Sequence, residues 1–443
     1  MASPPVSDAL LLRGRLLSFL TRPEGTGDRA SYRYEEDGGL VVRDGRIEAM
    51  GPFHLLAAGA GRGLDIVDHR PHLIMPGFVD AHAHFVQMQV IASYGAELLD
   101  WLNTYTFPEE TRFSDATHAR RIARLFLDEL TRNGTTTVAA YCSVHPQSAD
   151  AFFEEALARD MLVVAGKVMM DRNAPDGLRD TAVQGYDETK ALIGRWHGRG
   201  RLNYAITPRF AITSSPEQLE MAGALAREHP ELHVQTHLSE NHAEIALTKE
   251  LYPQARDYTD VYERFGLAGP KTLFGHCIHL SGREQDALSD TGAVAVFCPT
   301  SNLFLGSGLF DYQRMSRRGR PLRIATATDV GGGTSYSMLR TMDEGYKVIA
   351  LNGEKLNPLA SFWQLTLGNA KALSLDTRIG QLEPGRDADL AVLDASATPA
   401  MRLRMERATT LAEELFILQT MGDDRAVAET YVAGRAAKSG LAG

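Results

Sequence analysis

The chain has 443 residues, of which 44% are hydrophobic and 23% are charged, and its formal net charge is −10. This length and composition provide a large buried core, and no stretch is long and apolar enough to span a bilayer. Acidic and basic residues are interleaved, which together with the negative charge argues against binding to a nucleic-acid backbone or to a membrane surface.

The cysteine content points to a reducing compartment. The chain contains three cysteines, Cys142, Cys277 and Cys298, and none of them forms a CxxC pair. We therefore expect neither a disulfide framework nor a cysteine-rich zinc site. The N-terminal sequence lacks the segments of a signal peptide, so we expect a cytoplasmic protein.

The two ends of the chain share a pattern of short alternating segments separated by turn glycines. Examples are GGLVVRDGRIEAMG (38–51) near the start and IGQLEPGRDADLAVLD (379–394) near the end. Such segments predict short β-strands, and neither end can bury a core alone. We predict that residues 1–75 and 376–443 combine into one small β-sandwich that flanks a central domain of residues 76–375.

Eight apolar, β-branched runs alternate with amphipathic helical patterns in the central region. The predicted strands are residues 73–84, 135–141, 162–170, 202–210, 232–240, 272–278, 293–301 and 322–330. Gly134 and Gly292 stand where preceding helices would end. Eight strand–helix repeats over about 250 residues predict a (β/α)8 barrel of the TIM type. The alternative is an open doubly wound sheet, but no GxGxxG follows the first strand.

One long stretch without a clear pattern, residues 85–115, interrupts the barrel after its first strand. Excursions after a barrel strand rise from the C-terminal face, where barrel enzymes carry their active sites. We therefore interpret this stretch as a candidate lid or pocket wall.

Histidines and an aspartate stand at the ends of four predicted strands. His82 and His84, in VDAHAHF (79–85), project from the same face of an extended segment and can converge on one metal ion. A polar, solvated strand end would explain this pair alone. However, His237, His276 and Asp329 end three later strands. Because the carboxyl ends of barrel strands open on one mouth, the five residues predict a metal site.

The donor atoms of this predicted site are nitrogen and carboxylate oxygen, without sulfur. Such a set suits Zn²⁺ or Fe²⁺ and leaves a position for a water molecule, whose pKa the ion would lower towards neutrality. Glu240 lies three residues after His237 and is a candidate acid/base. A helix-capping glutamate is the alternative interpretation of Glu240.

Several other residues are weaker candidates for a functional role. Lys167 could bridge two metals if carbamylated, but its place in the middle of a predicted strand favours packing. The glycines of DVGGGTS (329–335) are followed by no P-loop lysine, so we expect them to allow close approach to a ligand rather than to bind phosphate. His279 is expected to cap or to face solvent, and His242 is expected to face solvent.

The strand-end pattern, together with several longer motifs, resembles a known family. The motifs are PGFVDAHAHFVQMQ, WLNTYTFPEE, GTTTVAAYCSVHPQS, GKVMMDRNAP, YAITPRFA, QTHLSEN, FCPTSNLFLGSGLFD and TDVGGGTSYSMLRTM. The HxH motif alone is typical of the amidohydrolase superfamily. The motifs HFVQ, PRFA and WLNTYTFP are more specific, and along nearly the whole chain they resemble the guanine deaminases of that superfamily.

The resemblance implies a role for each candidate residue. It implies one zinc ion per chain, held by His82, His84, His237 and Asp329. The implied catalytic residues are Glu240, Asp329 and His276, with His276 contacting the attacking water or the substrate oxygen. The implied purine-binding residues are Gln87, Arg209, Phe210, His84, His237 and Trp101.

The implied reaction is the hydrolytic deamination of guanine to xanthine and ammonia, in purine catabolism or salvage. In this mechanism hydroxide on zinc attacks C2, Glu240 protonates the neighbouring ring nitrogen, and Asp329 takes the hydroxyl proton. The resemblance also implies a homodimer that binds a small purine. The zinc deaminases with HxE and PCxxC motifs are excluded, because HAH is not HxE and Cys298 lacks a partner at that spacing.

Two alternatives stay open on the sequence alone. Superfamily members deaminate other purines, pyrimidines or triazines with the same ligands, and iron can replace zinc. In addition, some related barrels have lost their metal ligands and serve as assembly proteins. Retention of all the ligands and of Glu240 favours an enzyme.

Overall fold

The computed structural model describes residues 9–59, 64–95, 97–317 and 319–441. Parts of the predicted segments lie outside the described residues, namely 1–8 and 60–63 of the N-terminal segment, 96 of the candidate pocket wall, 318 of the barrel region, and 442–443. The chain divides into two compact units. One unit contains residues up to 79, 130–136 and 356 onwards, and the other contains residues 80–129 and 137–355.

Strands occur both in the central region and towards the two ends of the chain. In chain order they are β1 (Leu10–Phe19), β2 (Tyr32–Arg43), β3 (Arg46–Pro52), β4 (Asp65–Pro76), β5 (Phe78–His84), β6 (Thr135–Tyr141), β7 (Leu162–Gly166), β8 (Val168–Met169), β9 (Leu202–Pro208), β10 (His233–Leu238), β11 (Thr272–His276), β12 (Val294–Phe297), β13 (Arg323–Thr326), β14 (Leu390–Leu393), β15 (Val427–Val432) and β16 (Arg435–Ala436).

The α-helices connect these strands and follow them. They are α1 (Phe53–Gly59), α2 (Leu98–Trp101), α3 (Phe107–Thr111), α4 (Ala116–Arg132), α5 (Pro146–Ala158), α6 (Ala182–Trp196), α7 (Pro216–Glu228), α8 (His242–Leu251), α9 (Tyr258–Arg264), α10 (Gly282–Thr291), α11 (Pro299–Phe304), α12 (Tyr312–Arg317), α13 (Met338–Leu351), α14 (Pro358–Trp363), α15 (Asn369–Ala372), α16 (Pro399–Met405) and α17 (Leu411–Met421). Among the described residues, no helix has the length and apolar character needed to cross a membrane.

The central strands form the predicted barrel. Their order is β5-β6-β7-β9-β10-β11-β12-β13, and β8 pairs with β9. From β6 onwards neighbouring strands pair in parallel. The segment after β13 returns to the first strand, where the backbone nitrogen of Asp329 donates to His82 at 2.9 Å and that of His84 donates to Val330 at 2.5 Å. These bonds join the last strand to the first, so the predicted (β/α)8 barrel is confirmed.

Both ends of the chain contribute to a second sheet, as predicted. Its order is β16-β15-β14-β4-β1-β2-β3, so strands from the C-terminus pair directly with β4. One face buries an apolar cluster drawn from both termini, which includes Leu12, Leu40, Ile74, Leu390 and Val392. The predicted β domain made from both termini is therefore confirmed, and its described strands form one hydrogen-bonded sheet.

The first predicted barrel strand, residues 73–84, is two strands. Residues 73–76 belong to β4 of the terminal sheet, and the barrel strand β5 begins at Phe78. Pro76 lacks an amide hydrogen, and a Cβ at Gly77 would lie 2.2 Å from Oγ1 of Thr136. This Pro–Gly pair therefore separates the two strands.

The candidate pocket wall, residues 85–115, is mostly helical, although its sequence shows no clear pattern. It contains a 3₁₀ segment (Phe85–Val90), then α2, a π-helical segment (Leu102–Thr106) and α3. The buried side chains of Leu98, Trp101 and Leu102 pack in one apolar cluster. Their spacing of three and four residues puts them on one helical face, which explains why the segment is helical.

Candidate active site

The barrel brings the five predicted strand-end residues together. His82 and His84 end β5, His237 lies near the end of β10, His276 is the last residue of β11, and Asp329 follows β13. All five side chains are buried. They converge because parallel strands present their carboxyl ends at one mouth.

Four of these residues form a compact donor set. Nε2 of His84 lies 3.2 Å from Nε2 of both His82 and His237. Oδ1 of Asp329 lies 3.3 Å from Nε2 of His82 and from Nε2 of His84. Ligand atoms at about 2.0–2.1 Å from a tetrahedral ion are about 3.4 Å apart, so these spacings fit one metal ion.

The rings of His84 and His237 and the carboxylate of Asp329 are in the states that a metal requires. Burial lowers the pKa of His84 to about 3, although Asp329 opposes this effect, and it lowers the pKa of His237 well below its usual range. Nδ1 of His237 donates to the backbone oxygen of Arg209 at 2.7 Å, which leaves the Nε2 lone pair available. Burial would raise the pKa of Asp329, but His82 and His84 hold it well below its usual value.

Asp80, to which the sequence assigned no role, positions the metal-site strands. It is fully buried two residues before His82, and Oδ1 accepts from the backbone nitrogens of His82 at 3.3 Å and of Thr328 at 3.0 Å. Burial raises the pKa of Asp80 to about 6. Asp80 therefore ties β5 to the segment that carries Asp329. Its spacing of two from His82 placed it on the same strand face, which was the available signal.

His276 and Glu240 form a second, adjoining pair. Nε2 of His276 lies 3.3 Å from Oε2 of Glu240 and 3.9 Å from Oδ2 of Asp329. The amide nitrogen of Asn302 donates to Nδ1 of His276 at 2.9 Å, so the ring proton resides on Nε2. Ser307 donates to Oε1 of Glu240 at 2.9 Å. Burial raises the pKa of Glu240 well above its usual range, which favours a protonated carboxyl.

A cavity opens over these groups. It is lined by His84, Gln87, Leu98, Trp101, Leu102, Arg209, Phe210, His237, Glu240, Glu244, His276, Ser301, Leu305, Asp329 and Gly332. All the predicted purine-binding residues are in this set. Its walls combine apolar surface with a few polar groups, which is typical of a small-molecule site.

Arg209 and Gln87 share a buried partner that the sequence did not reveal. Glu110, on α3, accepts from Nη1 of Arg209 at 2.7 and 2.8 Å and from Nε2 of Gln87 at 2.9 Å. Neither periodicity nor motif spacing distinguishes Glu110 from its neighbour Glu109, because both stand in the first turn of one short helix.

The weaker sequence candidates lie elsewhere. Lys167 is buried between β7 and β8, with Nζ 2.6 Å from Oδ2 of Asp180, so it makes a structural ion pair. His242 is exposed as expected, whereas His279 is only partly exposed to solvent. His279 is half-buried, with its ring centroid 4.0 Å from that of His242 and Nε2 2.8 Å from the backbone oxygen of Ser307. It packs there because the Ser307 segment folds over it.

Comparisons with known proteins find relatives along nearly the whole chain. The model of the amidohydrolase family matches residues 73–437. The chain is 47% identical over 406 residues to the guanine deaminase of Escherichia coli (strain K12), covering 92% of each sequence. The solved E. coli guanine deaminase superposes with a TM-score of 0.93 at 45% identity, covering 96% of this chain and 99% of that one. A guanine deaminase from C. acetobutylicum, solved with guanine in its active site, has a TM-score of 0.86 at 30% identity, covering 97% and 99%.

Proposed function

This chain belongs to the amidohydrolase family, and we infer that it is an enzyme that hydrolyses guanine to xanthine and ammonia. The observation that carries the inference is similarity to guanine deaminases along nearly the entire chain, including one solved with bound guanine. The cavity with its buried histidine and aspartate cluster supports the same reaction. The reaction belongs to purine catabolism or salvage.

We propose that His82, His84, His237 and Asp329 hold one zinc ion per chain. The spacing of their donor atoms and the lowered pKa values of the buried His84 and His237 rings fit this group. Nitrogen and carboxylate donors without sulfur suit zinc, and iron is the alternative metal. When bound, the ion supplies Lewis-acid activation of a water molecule near neutral pH.

The surrounding residues move the protons of the reaction. Glu240, kept protonated by burial, donates to the ring nitrogen next to C2 of guanine. Asp329 accepts one proton from the attacking water and passes it to the leaving amine, and the second proton of that water returns to Glu240. His276 donates from Nε2 to the attacking oxygen. A C2–O bond forms, the C2–N bond breaks, and ammonia leaves.

The cavity walls supply the purine-binding groups. Arg209 and Gln87 offer hydrogen bonds to the oxopurine edge, and Phe210 and Trp101 offer aromatic surface to its face. The rings of His84 and His237 complete the wall near the reacting carbon. The family resemblance further supports a cytoplasmic homodimer as the working form.

A substrate panel tests this proposal. Ammonia release should be measured with purified enzyme and guanine, adenine, cytosine, adenosine or melamine, together with zinc content. We expect the highest kcat/KM for guanine, with xanthine as the product. A higher kcat/KM for another base would show that this base, and not guanine, is the substrate. Absence of both bound metal and turnover would favour a non-catalytic barrel.

A further inference from the structure

Glu110 is a buried carboxylate that the proposed mechanism does not use. Its side chain is fully buried, and its two oxygens accept hydrogen bonds from Arg209 and Gln87. Arg209 and Gln87 line the cavity, whereas Glu110 is not among the described residues that line it. Glu110 can therefore act on a bound molecule only through its two partners.

The contact with Gln87 determines which end of the Gln87 amide serves as a ligand group. A carboxylate accepts hydrogen bonds and cannot donate them, so Glu110 binds the amide nitrogen of Gln87. The amide oxygen then lies on the opposite side, 3.4 Å from the backbone nitrogen of Gly331. The inverted amide would bring two oxygens together. This oxygen accepts from Gly331, and its second lone pair is the acceptor that Gln87 can offer to a bound molecule.

The contact with Arg209 orients a group of donors next to this acceptor. Both oxygens of Glu110 engage Nη1 of Arg209, at 2.7 and 2.8 Å, and Cζ of Arg209 lies 5.5 Å from the ring centroid of Phe107. Because the guanidinium is planar, anchoring one nitrogen fixes the directions of the remaining N–H groups. Arg209 thus offers donors in a defined plane.

We propose that Glu110 is a positioning residue that selects a lactam edge, an N–H beside a C=O, over an amidine edge. The donors of Arg209 match the carbonyl oxygen, and the oxygen of Gln87 matches the N–H. The proposal rests on the proposed function, because guanine carries such an edge at N1 and C6. In 2,6-diaminopurine the same 2-amino leaving group is present, but the edge is an amidine with reversed polarity.

The test compares Glu110→Gln with the wild type on guanine and 2,6-diaminopurine. The new amide removes the charge opposite Arg209 and can donate to Gln87, which allows the Gln87 amide to invert. Loss of a charge-assisted hydrogen bond lowers affinity about 10- to 100-fold, so kcat/KM for guanine should fall by about that factor, mainly through KM. The kcat/KM for 2,6-diaminopurine should fall less. The ratio of kcat/KM for guanine to that for 2,6-diaminopurine should therefore decrease about tenfold or more.

Glu109→Gln is the matched control. Glu109 stands on the same helix, and its carboxylate pairs with Nη1 of Arg112 at 2.6 Å. Glu109→Gln should leave the preference for guanine unchanged, and bound zinc per folded chain should be the same in both variants. If Glu110→Gln fails to fold, Glu110→Asp keeps the buried charge but withdraws it from Gln87, and it should narrow the preference in the same direction.

The possible failures are distinguishable. If the wild type does not deaminate guanine, the proposed function is wrong. If the wild type deaminates guanine but both Glu110 variants keep its preference over 2,6-diaminopurine, Glu110 does not position the selecting groups. An equal loss for both substrates would likewise overturn the inference, because it would show only a structural role.

Discussion

Glu240 combines three properties that a proton carrier needs: burial, a raised pKa, and a position beside the metal-site cluster. Glu240→Gln preserves the shape of the side chain but removes the transferable proton. Loss of a general acid/base lowers the rate by about 10²–10⁴-fold, so we predict that kcat falls by this factor while zinc stays bound. Steady-state kinetics and metal analysis check this, with Glu250→Gln, an exposed residue at the end of α8, as the control. Near wild-type turnover would remove Glu240 from the mechanism.

Arg209 has both a binding role and a structural one, because its partner Glu110 is buried. Arg209→Ala should lower kcat/KM for guanine, and the decrease should correspond to a loss of about 1–3 kcal/mol of transition-state stabilisation. Metal content should be unchanged. The substitution should also lower the free energy of unfolding by about 3–5 kcal/mol, since a buried carboxylate loses its partner.

The double variant Arg209→Met/Glu110→Gln separates these two effects of Arg209. We expect part of the stability to return, because neither buried charge then lacks a partner, while kcat/KM stays low. Denaturant unfolding and guanine kinetics measure the two effects. Unchanged guanine kinetics in Arg209→Ala would contradict the assigned pocket.

The metal-site residues predict a clear analytical result. His82→Ala and His237→Ala each remove one of four donors, and we expect bound zinc to drop from about one per chain to a small fraction, with activity lost in parallel. Elemental analysis of purified protein measures this, and His54→Ala, exposed on α1, should retain full metal. Full metal and activity in both variants would place the site elsewhere.

At this scale the sequence revealed the residues whose position follows from strand periodicity. His82 and His84 share a strand face, and the ends of parallel strands meet at one mouth, so their convergence with His237 and Asp329 could be predicted. Glu110 could not be predicted in the same way. Its partners are 23 and 99 residues away along the chain, and only the folded barrel brings them together.

At the scale of elements, the strand predicted at 162–170 is two strands, β7 and β8, and Lys167 lies between them in a buried ion pair. Lys167 lies between β7 and β8 with its ammonium 2.6 Å from Asp180, and both side chains are buried. Removing one member of a buried pair is destabilising by about 3–5 kcal/mol, so Lys167→Ala should lower the free energy of unfolding by that amount. Metal content per folded chain should be unchanged.

Lys190→Ala is the matched control for this prediction. Lys190 makes an ion pair with Glu228 at 2.7 Å, but both side chains are exposed, so its loss should change stability by less than about 1 kcal/mol. Chemical denaturation compares the two variants. The ion pair with Asp180 argues against a role for Lys167 in bridging two metals. A decrease in bound metal in Lys167→Ala would support that role instead.

Strands were easier to predict than the helical wall for a physical reason. A barrel strand is buried on both faces, so it stands out as a continuous apolar run such as LVVAG of β7. The 85–115 segment is built from short helices of four or five residues with a π-helical turn between them. Tertiary packing of Leu98, Trp101 and Leu102 stabilises these helices, and local propensity alone would not.

For the whole molecule, the cooperation of the two termini could be predicted because neither could bury a core alone. The pairing itself could not be predicted, because β14 joins β4 across more than 300 residues, with Val392 opposite Ile74 and Leu390 opposite Pro76. Register between such distant strands depends on the packed cluster that they share, which sequence periodicity does not specify.

This shared sheet predicts the effect of truncation. A chain that ends at residue 375 loses β14 to β16 and the buried side chains of Leu382, Leu390 and Val392. Each such side chain contributes about 1.5–3 kcal/mol, and their sum approaches the total stability of about 5–15 kcal/mol of a typical domain. The truncation also exposes β4 as an unpaired edge, which promotes aggregation. We therefore expect the truncated chain to be insoluble.

A chain that ends at residue 438 is the control, since it keeps every strand of the sheet and the contacts of Lys438 with the backbone oxygens of Asp424 and Val427. It should stay soluble, with a Tm close to that of the full chain. The soluble fraction and the thermal transition of both truncations measure the difference. A chain ending at 375 that is soluble and melts at the wild-type Tm would show that the C-terminal strands are dispensable. It would also show that the exposed edge of β4 does not cause aggregation when β14 is absent.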